Sequence, residues 1–231
     1  MHTATGDTPV RRPVRRPVRS FVVRAGRVTP AQQRALEQFW PRYGLELADA
    51  AQPPVQIWGR EAPRVLEIGF GMGDSLIDSA AAHPQLDWLG IDVYPAGIGH
   101  CLLRAATAGL DNLRLMHGDA LPVLETLPAQ SFDALWLLFP DPWPKKRHHK
   151  RRIVQAGFLD RVHRVLKPSG RLVMATDWAD YAEWMGETVA RHGGFEPAAL
   201  PAGLPQRPET KYERRAARAG RPITDFMLRP A

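Results

Sequence analysis

From Arg64 onward, short apolar runs alternate with helix-like segments, and a glycine-rich turn, Gly69-Phe70-Gly71-Met72-Gly73, joins the first pair. Strands are predicted at Arg64–Ile68, Trp88–Val93, Leu113–His117, Ala134–Phe139 and Arg171–Thr176. Helices fall between them at Asp74–Ala82, Ile98–Ala108 and Ile153–Leu166, with a short helical turn at Pro122–Thr126. A helix over Asp180–His192 ends at Gly193-Gly194. Two late strands, near Phe195–Leu200 and Ile223–Arg229, flank a polar loop rich in Pro and Arg. Ala134–Phe139 is apolar at every position, as a strand buried on both faces must be. The pattern specifies the α/β class: a doubly wound, mostly parallel seven-stranded sheet with helices on both faces. Ligands of such sheets bind beyond the carboxyl ends of the strands.

Ahead of this unit, Thr29-Pro30 opens a helix over Gln32–Trp40 that should stop at Pro41. The segment 45–63, with Pro53, Pro54 and Pro63, reads as loop. Arg11-Arg12-Pro13-Val14-Arg15-Arg16-Pro17-Val18-Arg19 is blocked from helix by its prolines, and no apolar run follows. It reads as a basic, flexible arm rather than a signal or transit peptide. The expected organisation is an arm over 1–20, a helix and loop over 21–63 packing on the core, and the α/β domain over 64–231.

A single cysteine excludes an intramolecular disulfide framework and suits a reducing, cytoplasmic setting. No apolar run is long enough to cross a bilayer, so no membrane partner is expected. The net charge of +7 is unevenly placed. Residues 1–30 carry +6, 145–152 carry +6 and 207–221 carry +4, which leaves −9 on the remainder. Of the 31 basic residues 26 are Arg, the side chain suited to bidentate phosphate contacts. Three basic runs on an acidic body point to a polyanion, with nucleic acid first.

The turn Glu67-Ile68-Gly69-Phe70-Gly71-Met72-Gly73-Asp74 lets backbone approach a ligand closely. A dinucleotide fingerprint needs glycine at the sixth place, where this chain has Asp74, a carboxylate that would repel a pyrophosphate. The spacing Glu-x-Gly-x-Gly-x-Gly instead resembles motif I of S-adenosylmethionine-dependent methyltransferases, whose ligand is cationic and has no phosphate. Asp92, 23 residues after Gly69, closes the second strand, where a carboxylate accepts both ribose hydroxyls. Asp119 closes the third, where methyltransferases of this fold contact the adenine amino group.

After the fourth strand, Phe139-Pro140-Asp141-Pro142-Trp143-Pro144 sets three prolines in five residues where a donated methyl should point. The stiff loop preorganises Asp141. Trp143 reads as a loop anchor or as a platform for an extruded base, and Tyr212 is a second aromatic that can stack. Cys101 falls in a helix away from this loop and reads as core, so cytosine C5 chemistry, which needs a cysteine nucleophile, is excluded. His148-His149 sit among six cations with no neighbouring acids, so no metal is expected.

The block Phe-Pro-Asp-Pro-Trp-Pro-Lys-Lys-Arg-His-His-Lys-Arg-Arg (139–152), followed by Ile153-Val154-Gln155, resembles the signature of the bacterial tRNA (guanine-N7)-methyltransferase family. The resemblance takes in Arg19-Ser20-Phe21-Val22-Val23-Arg24, Gly26-Arg27, Glu67–Gly73, Thr176-Asp177-Trp178, Trp184-Met185 and Arg207–Glu213. It departs at Gly220-Arg221-Pro222-Ile223, where a Gly-His-x-Val-like sequence is expected. It implies a Rossmann-like class I methyltransferase fold and methyl transfer from S-adenosyl-L-methionine to N7 of a guanine in the tRNA variable loop, at tRNA position 46. It also implies that Glu67, Gly69, Gly71, Gly73, Asp92, Asp119 and Asp141 bind the cofactor, with Asp141 catalytic. Lys145, Asp177, Thr210, Lys211, Tyr212 and Glu213 would hold the substrate. Arg147, His148, His149, Lys150, Arg151 and Arg152 would contact RNA. The expected partner is tRNA, and a monomer is the working expectation. Two alternatives stay open: a methyltransferase acting on another RNA, a protein or a small molecule, and a non-catalytic RNA-binding protein.

Overall fold

A computed structural model describes Ser20, Phe21 and residues 27–231. The arm expected over residues 1–20 lies outside the described residues except for Ser20, as do Arg19, Val22, Val23, Arg24 and Gly26 of the family motif.

The first helix, α1, spans Pro30–Tyr43. Thr29 and Gln32 cap it reciprocally, the Gln32 N–H donating to Thr29 Oγ1 and the Thr29 N–H to Gln32 Oε1. The helix runs through Pro41, where the sequence predicts a stop. Pro41 forfeits one backbone bond, but the fully buried Tyr43 donates its hydroxyl to the Ala105 carbonyl and holds the last turn in place. The stretch expected to be loop contains a 3-10 turn at Asp49–Ala51 and a short helix, α2, at Pro54–Trp58.

The α/β unit follows as β1 (Arg64–Ile68), α3 (Asp74–Ala82), β2 (Asp87–Asp92), α4 (Pro95–Thr107), β3 (Leu113–His117), α5 (Ala120–Thr126) and β4 (Phe132–Leu138). After a 3-10 turn at Lys146–Arg151 come α6 (Ala156–Val165), β5 (Leu166–Thr176), α7 (Ala179–His192), β6 (Phe195–Pro197), α8 (Lys211–Arg218) and β7 (Thr224–Pro230). The seven strands form one sheet in the order β3-β2-β1-β4-β5-β7-β6. The β1 to β5 pairings are parallel, and β7 runs antiparallel between β5 and β6. One sheet face carries Leu66, Ile68, Leu89, Ile91, Leu135 and Leu137 against Phe158, Leu159 and Val162 of α6. The other carries Val65, Trp88 and Trp136 against Leu76 and Ile77 of α3 and Ile98 and Leu102 of α4. Burial on both faces is why these strands read as unbroken apolar runs.

Within the α/β unit, three elements depart most from their sequence readings. Helix α6 begins at Ala156 rather than Ile153, because Ile153 faces a cavity and Val154 bonds to Tyr181 and Trp184 of α7. Strand β5 begins at Leu166, pairing with Phe132 before a register shift reaches Arg171 opposite Ala134. The Pro/Arg-rich loop contains α8, whose N-cap Thr210 accepts from the Glu213 N–H.

Strand β1 lies between β2 and β4, so the chain's crossovers diverge to either side of it. The crevice at the carboxyl ends of β1 and β4 is the topological switch point where such sheets bind ligands.

Candidate cofactor and transfer site

The glycine turn leaves β1 at this crevice. Gly69 and Gly71 have φ of +77° and +61°, a left-handed backbone that a side chain would strain. Asp92, at the end of β2, accepts the Gly71 N–H on Oδ2 at 2.6 Å and the Tyr94 N–H on Oδ1 at 2.8 Å. Burial pushes its pKa up, and the backbone N–H of Gly71 pulls it back. Asp92 therefore organises the glycine loop as well as facing the cavity. Asp119 caps α5 by accepting the Leu121 N–H and lines the same cavity. Gly73, the N-cap residue of α3, does not line the cavity; a Cβ there would lie 2.8 Å from Cys101 Sγ. Asp74, just beyond, is exposed and pairs with Arg104 at 2.9 Å.

Glu67 sits on β1 between Gly90 of β2 and Trp136 of β4 in register, and it does not line the cavity. It is 3% exposed, and its Oε2 has no hydrogen-bond partner. Burial, with Asp92 nearby, pushes its pKa up to about 8, so the carboxyl is mostly protonated at neutral pH. The unfolded chain releases that proton near pH 4.5, so stability is lost progressively as pH rises from there toward 8. Each pH unit crossed withdraws up to about 1.4 kcal/mol. Glu67→Gln should match wild type at pH 4.5 and melt increasingly higher than it toward pH 8. Parallel melting curves across that range would contradict this.

The loop after β4 is fixed by unusual backbone. Phe139 and Trp143 have φ of +53° and +46°, left-handed without being glycine. Such residues cost roughly 1–3 kcal/mol each and persist where surrounding contacts hold them. The Phe139 N–H donates to the Ala175 carbonyl at 2.8 Å. Trp143 Nε1–H donates to the Ser20 carbonyl at 3.1 Å, and the Arg151 guanidinium lies 4.0 Å from the Trp143 ring while donating to the Phe21 carbonyl. Trp143 is thus a loop anchor that holds Ser20 and Phe21 at the cavity wall. Asp141 lines that cavity from the same loop.

Tyr212 and Lys211, at the start of α8, also line the cavity. Tyr212 stacks on Phe139 with ring centroids 6.0 Å apart, and its ring carries the Lys211 ammonium 5.4 Å from the centroid. Thr210 is buried as the helix cap. Glu213 accepts from Arg207, which also grips Asp225 on β7 and so clamps α8 to the sheet. The hydrogen bond to Asp225, foremost, pushes the Arg207 pKa up. Asp177, at the end of β5, takes both Nε–H and Nη2–H of Arg221 on Oδ2, at 2.9 and 2.7 Å. The departure from the family pattern thus supplies an ion-pair partner to an expected substrate ligand. Asp177, Thr210, Glu213 and Lys145 are not among the cavity-lining residues.

The basic run is not uniform. Lys145, Arg147 and Lys150 are exposed. His148 packs edge-on against Trp143, and partial burial, followed by the charges of Arg147 and Arg151, holds its pKa below the ordinary value. His149 packs against Trp184 at 5.8 Å. Arg152, expected at the RNA surface, is 1% exposed. It donates to the Pro142 carbonyl at 3.0 Å, pairs with Asp180, and lies over the rings of Tyr181 and Trp184. No phosphate reaches it there; it braces the Asp141 loop against α7. Arg152→Met should leave the salt dependence of RNA binding unchanged yet slow turnover roughly 10- to 100-fold through loop misplacement. Arg147→Met should lower the salt slope by about one. The reverse pattern would return Arg152 to the RNA interface.

These walls enclose about 400 Å³, a small-molecule volume. Asp92, Asp119 and Asp141 face it against the single ammonium of Lys211 among the described residues. That donor set fits a cationic, phosphate-free ligand such as S-adenosylmethionine, with Gly69 and Gly71 against it. Sequence reading missed Gly97, in the first turn of α4, where a Cβ would collide with the Gly71 carbonyl oxygen. The signal was the run Pro95-Ala96-Gly97-Ile98-Gly99, unusual at a helix start. It also gave no role to Arg207, quoted only within the family motif, or to Arg221, noted only as a departure from it. Among the described residues, no three His, Cys, Asp or Glu side chains converge as a metal site, and no helix is long and apolar enough to cross a membrane.

Comparison with known proteins agrees with this architecture. A family model described as "Putative methyltransferase" matches residues 61–226. The crystal structure of antibiotic-resistance methyltransferase Kmr superposes with a TM-score of 0.53 at 20% identity, covering 80% of this chain and 93% of that one. That likeness establishes the shared methyltransferase fold. A tRNA (guanine-N(7)-)-methyltransferase of Nitrosococcus oceani is 49% identical over 211 residues, 91% of this chain and 89% of its own length. One of Halorhodospira halophila is 49% identical over 217 residues, 91% and 94% of the two chains. At that identity and coverage, the chain belongs to the tRNA (guanine-N7)-methyltransferase family.

Proposed function

We propose that this protein transfers a methyl group from S-adenosyl-L-methionine to N7 of a guanine in tRNA, at position 46 of the variable loop. One observation carries the reading: the carboxylates of Asp92 and Asp119 share one cavity with a rigid loop bearing Asp141, and a basic run follows that loop. S-adenosylmethionine, when bound, supplies the methyl group on an electrophilic sulfonium. Asp92 and Asp119 hold its ribose and adenine, and Gly69 and Gly71 let backbone approach it.

Guanine N7 has an in-plane lone pair, so Asp141 has no proton to remove before attack. Its carboxylate instead orients the base and offsets the positive charge that develops on the purine. Asp177 accepts from the guanine N1–H and 2-amino edge, while Arg221 fixes its rotamer. Tyr212, 41% exposed beside the cavity, is the aromatic that stacks on the extruded base. Glu213, gripped by Arg207, positions α8 rather than receiving the base. Lys145, Arg147, His148, Lys150 and Arg151 meet phosphate. The protein acts in the cytoplasm, where tRNA is modified.

The test is incubation with tritiated S-adenosylmethionine and unmodified tRNA, with modified sites mapped by reduction and aniline cleavage. A single 7-methylguanosine in the variable loop is expected. Label incorporated elsewhere, or none, refutes the reading.

A further inference from the structure

The six cations of residues 207–221 divide by environment. Arg207 and Arg221 are partly buried and committed to Glu213, Asp225 and Asp177. Lys211 faces the cavity. Arg214, Arg215 and Arg218 are exposed on α8. Arg214 has one exposed partner, Glu209, at 3.7 Å. Arg215 and Arg218 enter no ion pair among the described residues.

Helical geometry gathers these residues. At 100° per residue, Lys211, Arg214, Arg215 and Arg218 occupy an arc of about 100°. Glu213 and the buried Ala216 take the opposite side. The strip starts at the cavity lip and extends about 10 Å along the helix. An exposed helix face ordinarily mixes signs, as α7 does with Glu183, Glu187 and Arg191, the last two paired at 3.3 Å. The α8 face carries no outward acid, and its like charges at i,i+3 and i,i+4 oppose the helix they sit on. A polyanion laid along it relieves that repulsion.

We propose that Arg214, Arg215 and Arg218 form a phosphate-binding strip that grips the tRNA backbone beside the nucleotide entering the cavity. The inference rests on the tRNA-methyltransferase reading above and adds a second grip, on α8, to that of the 145–151 run.

The test uses the full chain carrying R214Q/R215Q/R218Q and unmodified tRNA, with affinity measured between about 50 and 200 mM salt. The log–log salt slope should become shallower by about two to three, while calorimetric affinity for S-adenosylmethionine stays at the wild-type value. R214K/R215K/R218K should keep the wild-type slope. A wild-type slope in the glutamine variant overturns the proposal, as does a lysine variant that loses as much slope as the glutamine one. If the triple glutamine variant also loses cofactor affinity, R218Q, farthest from the cavity, decides by a slope change of about one or none. Normal tRNA methylation by the wild type with an unchanged variant slope removes the strip alone. A shallower slope with no methylation by the wild type removes the methyltransfer reading and leaves the strip.

Discussion

Asp141→Asn is expected to slow methyl transfer by roughly 10²–10³-fold while tRNA and cofactor binding stay near wild type. The substitution keeps the side chain's shape and removes the negative charge. The Asp141 loop is held by the Phe139–Ala175 backbone bond, the Trp143–Ser20 bond and the Arg152–Pro142 bond, none of which involves the Asp141 carboxylate. Those bonds remain in the variant, and on the proposed mechanism the loss falls on stabilisation of positive charge on the methylated purine. Single-turnover methylation measured beside equilibrium tRNA binding separates these effects. Turnover within threefold of wild type, or a tRNA affinity falling as far as the rate, would rule out a catalytic role.

Gly97→Ala is the second large effect, and its sign opposes helix propensity. Alanine in a helix is favoured over glycine by about 1 kcal/mol, so an unconstrained site would gain stability. At position 97 the added methyl meets backbone, the Gly71 carbonyl, with Tyr94 Cδ1 3.1 Å away on another side. Backbone cannot rotate aside as a side chain can, so α4 and the glycine loop must separate. That displacement strains the Gly71–Asp92 bond. A stability loss of about 1–3 kcal/mol is expected, with cofactor affinity weakened more than tenfold. Gly186→Ala in α7 is the control, since its Cβ meets nothing closer than Phe226 at 3.8 Å. It should be neutral or stabilising. Equal gains in both variants by thermal and calorimetric titration would refute the close-approach argument.

The sheet was legible because its strands are buried on both faces and its helices carry one apolar stripe, so composition alternates with structure. Helix α8 was not, because one buried residue, Ala216, leaves no apolar periodicity to read. Its only local mark was Thr210 three residues before Glu213. Pro41 misled because its cost is local, whereas Tyr43 is retained by contacts with α4 far along the chain.

At the site, Asp92, Asp119 and Asp141 could be placed at strand ends from sequence, since strand ends follow from strand positions. The division of the basic run could not. Arg147 and Arg152 look alike in a row of cations, and only the arrival of Tyr181 and Trp184 from α7 buries one and leaves the other outside. The roles of Arg207 and Arg221 were hidden for the same reason. Their partners Asp225 and Asp177 are brought near by the pairing of β5 with β7.

That pairing also sets an order of events during synthesis. Strand β6 bonds to no strand but β7, and the outer edge of β5 waits for the same strand. Until residues 224–230 have left the ribosome, Asp225 cannot meet Arg207, and α8 lacks the clamp that ties it to the sheet. A nascent chain therefore assembles its glycine loop and Asp141 loop early, domain-first in the usual manner. Its last wall closes only when the final strand threads between two waiting neighbours.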